Sequence, residues 1–137
     1  MGVILDSSVV IAAERRGATA ADLTRQIASL TGDQEAALSA VGFTELVHAV
    51  YRASDPVLKE RHRAFLEEIA AGFLVRPYTR ETAYLAGRID GQQRARGIVI
   101  PTMDLMIRAT ALVNNDAVVT VNLRHFQMIP GLHVVGL

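Results

Sequence analysis

At 137 residues, half of them hydrophobic, with 20% charged and a formal net charge of zero, the chain reads as one domain able to bury a core unaided. The absence of cysteine excludes disulfides and thiolate-held metals, and the charge balance excludes a protein that grips nucleic acid by bulk electrostatics alone. Every apolar run falls short of the roughly 20 residues needed to cross a bilayer, and the opening Met-Gly-Val-Ile-Leu-Asp lacks the basic flank of a signal peptide. A soluble, cytoplasmic protein is expected. Thirteen of the fourteen basic residues are arginine, the side chain whose planar fork suits phosphate, so local contacts to nucleic acid stay open.

Apolar runs alternate with helical patterns along the chain, the order of a mainly parallel sheet wrapped by helices. Gly2 to Leu5 is predicted as a first strand, with Ser7 or Ser8 capping the helix that follows. Thr19 to Leu30 carries a helical stripe of Ala20, Leu23, Ile27 and Leu30. Ala36 to Ala40 is a second strand, leading into a helix that carries Glu45 and runs to about residue 53. Ser54 or Asp55 caps the next helix, Pro56 suits its first turn, Leu58, Phe65, Leu66 and Ile69 form its inner stripe, and Gly72 stops it.

Phe73 to Tyr78 is a third strand. A helix from Arg80 to Ala95 is expected to bury Ala83, Leu85, Ala86 and Ile89, and Gly97 ends it. After an extended Ile98 to Pro101, the helix from Thr102 to Asn114 is apolar on most sides and so is placed centrally. Ala117 to Val121 and His133 to Gly136 supply the last two strands, separated by a polar turn and Pro130-Gly131. No repeat or linker divides the chain.

Three acids recur in one setting, each where an apolar segment hands over to a helix: Asp6, Glu45 and Asp104. Taken singly, a carboxylate near a helix N-terminus complements the dipole and the free N–H groups and needs no further role. Asp6 fits that reading least, because it follows a buried strand and serines beside it can already cap. At the carboxyl ends of strands in an open α/β sheet the three would face the ligand crevice. Clustered acids raise one another's pKa unless a cation neutralises them, so the set suggests an oxygen-rich seat for Mg²⁺ and metal-assisted hydrolysis of a phosphodiester.

The stretches Ile4-Leu5-Asp6-Ser7-Ser8, Ser39 to Leu46 around Gly42-Phe43-Thr44-Glu45, Ile100-Pro101-Thr102-Met103-Asp104 through Leu112, and Val119-Thr120-Val121-Asn122 through Phe126 together resemble a PIN domain. More narrowly, they resemble a VapC-type ribonuclease toxin of a type II toxin–antitoxin pair. They stand in the family's order and cover the chain nearly end to end, which implies a single PIN domain over 1–137. The implied fold is a three-layer α/β/α arrangement with a mainly parallel sheet of about five strands.

The resemblance implies a Mg²⁺-dependent endoribonuclease, with Mn²⁺ as a possible substitute, that cuts by a metal-activated water and leaves a 5′ phosphate and a 3′ hydroxyl. Asp6, Glu45 and Asp104 match the family's metal and catalytic positions, and Ser8, Thr120 and Asn122 match supporting ones. It further implies an RNA substrate, a homodimer, and a VapB-type antitoxin that lays a helix over the toxin, while the apolar stripes of Thr19 to Leu30 and Ser54 to Ala71 lead to the expectation that an antitoxin or a second subunit covers part of that surface.

Two departures stand out. The family often carries a further acid in the last motif, at the place of Asn122 or of His125, where this chain has neither. Arg108, one turn after Asp104, replaces a more usual small residue and can meet either that acid or an RNA phosphate. His48, His62 and His125 read as ordinary surface or capping histidines, Asp90 and Asp116 as helix-face and turn acids, and Arg88, Arg94 and Arg96 as an exposed helix end.

Rival readings of the acids fare worse. A phosphoaspartate receiver needs a lysine after a late strand, and the single lysine is Lys59. A haloacid-type phosphatase wants an aspartate at the place of Ser8. A non-catalytic PIN-fold module that binds RNA or protein is the remaining alternative.

Overall fold

The computed structural model describes residues 2–126, 129 and 131–137. Among them, strands β1 (Val3–Leu5), β2 (Ala36–Ser39), β3 (Leu74–Arg76), β4 (Ala117–Thr120) and β5 (Val134–Gly136) form one sheet in the order β3-β2-β1-β4-β5. Every pairing is parallel. Helices α1 (Ser7–Arg15) and α2 (Ala20–Thr31) lead from β1 to β2, α3 (Ala40–Arg52) and α4 (Pro56–Gly72) from β2 to β3, and α5 (Arg80–Ala95) and α6 (Thr102–Val113) from β3 to β4. A short turn of helix, α7 (Leu123–Phe126), precedes β5 where the sequence suggested only a polar turn.

Side-chain alternation in β1 shows how the layers form. Val3 and Leu5 join Val9, Leu23, Ile27, Leu46 and Ile69 on one face, while Ile4 joins Ile107, Ala111 and Val118 on the other. Helix α6 is therefore packed on both sides, against the sheet through Ile107 and Ala111 and against α5 through Leu105 and Ala109. That accounts for its nearly all-apolar surface, as expected of a central helix.

The strand sequence moves outward from β1 to β2 to β3, then returns across the sheet to β4 and β5. The reversal lies between β1 and β4, so the crevice at their carboxyl ends is the topological switch point where such sheets bind ligands. Asp6 follows β1 and Thr120 ends β4, and the Asp6 N–H donates to the Val119 carbonyl at 2.9 Å.

Several local expectations need correction. The N-cap of α1 is Asp6 and that of α6 is Pro101, neither with a side-chain cap bond, so Ser7, Ser8 and Thr102 do not cap. Thr19 forms a full capping box with Asp22 at α2, while Asp55 caps α4 ahead of Pro56 as expected. Leu30, Leu58 and Ala83 are exposed rather than buried, because each lies beyond the strip of its helix that meets the sheet or a neighbouring helix. Thr82 takes the buried place on α5 instead.

His62 is not a solvated residue: its Nδ1 lies 2.6 Å from Glu14 Oε1, tying α4 to α1. Asp116 is more than a turn acid. At 5% exposure it accepts from the Gly2 N–H at 2.9 Å and Arg76 Nε at 3.2 Å, which fixes the start of β1. Gly2 is required there, since a Cβ would lie 2.7 Å from the Glu35 carbonyl oxygen.

Candidate active site

The sheet delivers the first acid to the switch point with its geometry already fixed. Asp6 is 6% exposed, and its Oδ2 accepts from Ser8 Oγ at 2.5 Å and from Thr120 Oγ1 at 3.0 Å. Thr120, fully buried, also accepts from the Asn122 N–H at 3.0 Å, so the last strand and the turn after it are locked to the first acid. Two hydroxyls on one oxygen compensate a buried carboxylate without neutralising it. Asn122 itself is exposed and lines the mouth of the crevice.

Glu45 comes from the second turn of α3, whose N-cap Ser39 ends β2. Its Oε1 accepts from Ser7 Oγ at 3.1 Å. Burial raises its carboxyl above the ordinary range, the Ser7 hydrogen bond opposes that, and the charges of Asp6 and Asp104 push it further up. Asp104 lies in the first turn of α6. Glu45 therefore feels the charges of the other two sequence-predicted acids, although the three come from three separate crossovers.

Arg108 stands one turn further along α6 and is 1% exposed, the bulkiest fully buried side chain in the described part of the chain. Burial pulls its pKa down while the charges of Asp104 and Asp6 push it up, so the guanidinium lies within the field of both acids. At 1% exposure it does not reach a strand outside. Arginine stays charged in such settings, and here it lies buried within the field of Asp104 and Asp6.

Beside Asp6 opens a groove of about 580 Å³ lined by Ser8, Ile11, Ala12, Arg15, Arg16, Val121 and Asn122. Its apolar floor and basic flank on α1 fit the alternation of sugar, base and phosphate in a single nucleic-acid strand. Arg88 and Arg96 instead border a separate hollow between α5 and the end of α6, away from the acids. His48 is exposed, and the side chain of His125, like Pro130, lies outside the described residues.

Among the described residues, no three His, Cys, Asp or Glu side chains stand together as a ready metal cage. The donor set is nevertheless of the kind a hard divalent ion takes: carboxylate, hydroxyl and amide oxygens with no thiolate. The repulsion that Asp6 and Asp104 add at Glu45 is of the kind that such an ion would relieve.

A family model for the PIN domain matches residues 3–131. The chain belongs to the PIN-domain family. Within it the VapC branch is the relevant one. Ribonuclease VapC1 of Rickettsia felis is 31% identical over 135 residues, covering 98% of this chain and 96% of that protein. Ribonuclease VapC of Rickettsia bellii is 29% identical over the same shares of both chains. Among solved structures, VapBC2 from Rickettsia felis bound to a DNA fragment from its promoter superposes with a TM-score of 0.87 at 20% identity, covering 100% of this chain and 99% of that one. The last likeness concerns the fold, and it agrees with the all-parallel five-stranded sheet of this PIN domain.

Sequence reasoning missed one contact of the PIN domain's pocket and did not say what Thr120, counted among the supporting residues, would touch. Ser7 was assigned to helix capping, whereas it holds Glu45, and Thr120 turns out to be the second donor to Asp6. The signal was present as two consecutive serines after a buried acid, with a threonine closing the neighbouring strand.

Proposed function

We propose that this chain is a divalent-metal-dependent endoribonuclease, the toxic component of a VapBC-type toxin–antitoxin module. The observation that supports this reading is that Glu45 feels the charges of Asp6 and Asp104, with Asp6 at the sheet's switch point. Kinship over nearly the whole chain with proteins named ribonuclease VapC supports it.

Asp6, Asp104 and Glu45 would hold the ion, Mg²⁺ or in its place Mn²⁺, with Asn122 at the edge. When bound, such an ion supplies Lewis acidity and lowers the pKa of water. The residues of the chain do the remainder. Ser8 and Thr120 keep Asp6 in one orientation, and Ser7 does the same for Glu45. Burial lifts Glu45 toward the range in which it can take a proton from the attacking water. The water oxygen forms a bond to phosphorus as the bond to the 3′ oxygen breaks, and that oxygen takes up a proton. The products are a 5′ phosphate and a 3′ hydroxyl. The groove flanked by Arg15 and Arg16 leads the strand to this point.

A VapB-type antitoxin is the proposed protein partner, with a homodimer as the assembled toxin. Tyr51, Val57 and Leu58 expose apolar surface beside a hollow between α3 and α4, a shape suited to an amphipathic helix. Arg108 within the acid pocket favours a second reading, a non-catalytic PIN module.

One experiment separates the two. The purified chain should cleave RNA with Mg²⁺ and stop in EDTA, and Asp6→Asn or Asp104→Asn should abolish cleavage and relieve growth arrest on expression. EDTA-insensitive cleavage, or full activity in both variants, would remove the metal-site assignment. No cleavage by the wild-type chain would leave the binding module.

A further inference from the structure

We propose that Asn122 is a specificity residue whose carboxamide reads the edge of one nucleobase beside the scissile phosphate, with adenine preferred. The inference rests on the RNA-cleaving reading above and deepens it by naming a residue that selects the substrate.

The backbone of Asn122 is firmly held. Its N–H donates to Thr120 Oγ1 at 3.0 Å, and that hydroxyl donates in turn to Asp6 Oδ2 at 3.0 Å, so residue 122 is anchored to the first acid through one fully buried side chain. The side chain of Asn122 is exposed and uncommitted. An asparagine directly before a helix commonly caps it, and Asn122 directly precedes α7, yet its carboxamide makes no hydrogen bond to another described residue. A fixed main chain that carries an unused amide beside a groove is preorganised to meet a ligand.

The rest of the groove says which ligand. Ile11, Ala12 and Val121, the last of them 41% exposed, give it apolar surface, and Arg15 and Arg16 flank it. Among the described residues, no acid lines it. Apolar surface accepts the face of a base and guanidinium groups accept phosphate, the combination that suits RNA whose bases are splayed out of a stack. An amide sets a donor and an acceptor side by side. Adenine presents the matching pair at N6 and N7, and an asparagine meets both at once. A carboxylate in the same place could only accept, which favours the N4 amino group of cytosine.

The probe is a set of fluorescein-labelled single-stranded RNA oligomers, all uridine except for one adenine, cytosine or guanine placed at each position in turn. Binding to the purified full chain is read by fluorescence anisotropy in EDTA, and cleavage of the same oligomers is read in Mg²⁺. At one position the wild type should bind the adenine oligomer about fivefold or more tightly than its counterparts. The cut should fall beside that position. Asn122→Ala should flatten the preference, and Asn122→Asp should move it to cytosine. Because the side chain is exposed and makes no internal hydrogen bond, both variants should melt with the wild type.

No base preference in the wild type, or a preference that survives Asn122→Ala, would overturn the base-reading role and leave the nuclease reading intact where cleavage is seen. A preference for another base that Asn122→Ala removes would overturn adenine and keep the reader. Binding with an Asn122-dependent preference but no cleavage by the wild type would overturn the nuclease reading and keep the role of Asn122.

Discussion

Thr120→Val isolates the hydroxyl that joins the last strand to the first acid. Valine nearly matches threonine in shape, so the main loss is the fully buried Oγ1, which donates to Asp6 Oδ2 at 3.0 Å and accepts from Asn122 N–H at 3.0 Å. A hydrogen bond to a charged group contributes about 1.5–3 kcal/mol, and the Asn122 N–H, on an exposed residue that can turn to water, about 0.5–1 kcal/mol. The variant should therefore lose about 2–4 kcal/mol. For a chain of 137 residues that is a fall in Tm of about 7–14 °C. Thr120→Ser keeps the hydroxyl and gives up one methyl, costing about 1 kcal/mol.

Thermal melts of all three chains at neutral pH in EDTA measure the difference. Because Thr120 positions Asp6, RNA cleavage by the valine variant should also drop about 10–100-fold, the usual cost of losing a residue that orients a metal ligand. Equal melting temperatures for the valine and serine variants would show that volume matters at this position and the hydrogen bond does not, refuting the argument.

Glu45 supplies a pH prediction. Its carboxyl is raised by burial and by Asp6 and Asp104, so the folded chain binds that proton more tightly than the unfolded chain. The stability from this group is full below the ordinary carboxylate range and is lost as pH rises through the raised value. Glu45→Gln, which retains an acceptor for Ser7, should match the wild type at about pH 4 and melt higher than it at about pH 8 without metal. A difference that is flat with pH would contradict this account of Glu45. The groove beside Asp6 gives a kinetic one: Arg15→Gln with Arg16→Gln should raise KM about 3–10-fold and flatten the dependence of binding on salt, with kcat little changed. If salt dependence is unaltered in the double variant, the strand enters elsewhere.

The parts of the fold that were legible in the sequence are those dictated by periodicity. The α5 boundaries Arg80–Ala95 agree residue for residue, and the strands differ from expectation by one or two residues at their ends. Caps were misread at α1 and α6 for a shared reason: a hydroxyl near a helix start was assumed to serve the helix, but Ser7 and Ser8 serve the acids and Thr102 lies inside the first turn. Leu58 and Ala83 fit a 3.6-residue stripe yet lie where no neighbour covers the helix, which only the packing of the layers decides. His62 and Asp116 were underestimated because their partners, Glu14 and Gly2, are 48 and 114 residues away in the chain.

Arg108 shows most clearly why composition alone could not describe the pocket. In the sequence it is one of thirteen arginines, in a helix where Thr102, Asp104 and Thr110 are the other polar residues, and its spacing from Asp104 permits either an internal pair or an external phosphate contact. The choice between them depends on which faces of α6 are covered. The sheet covers one through Ile107 and Ala111, and α5 covers another through Leu105 and Ala109. With those faces closed, the guanidinium is buried within the field of Asp104 and Asp6 rather than reaching an external phosphate.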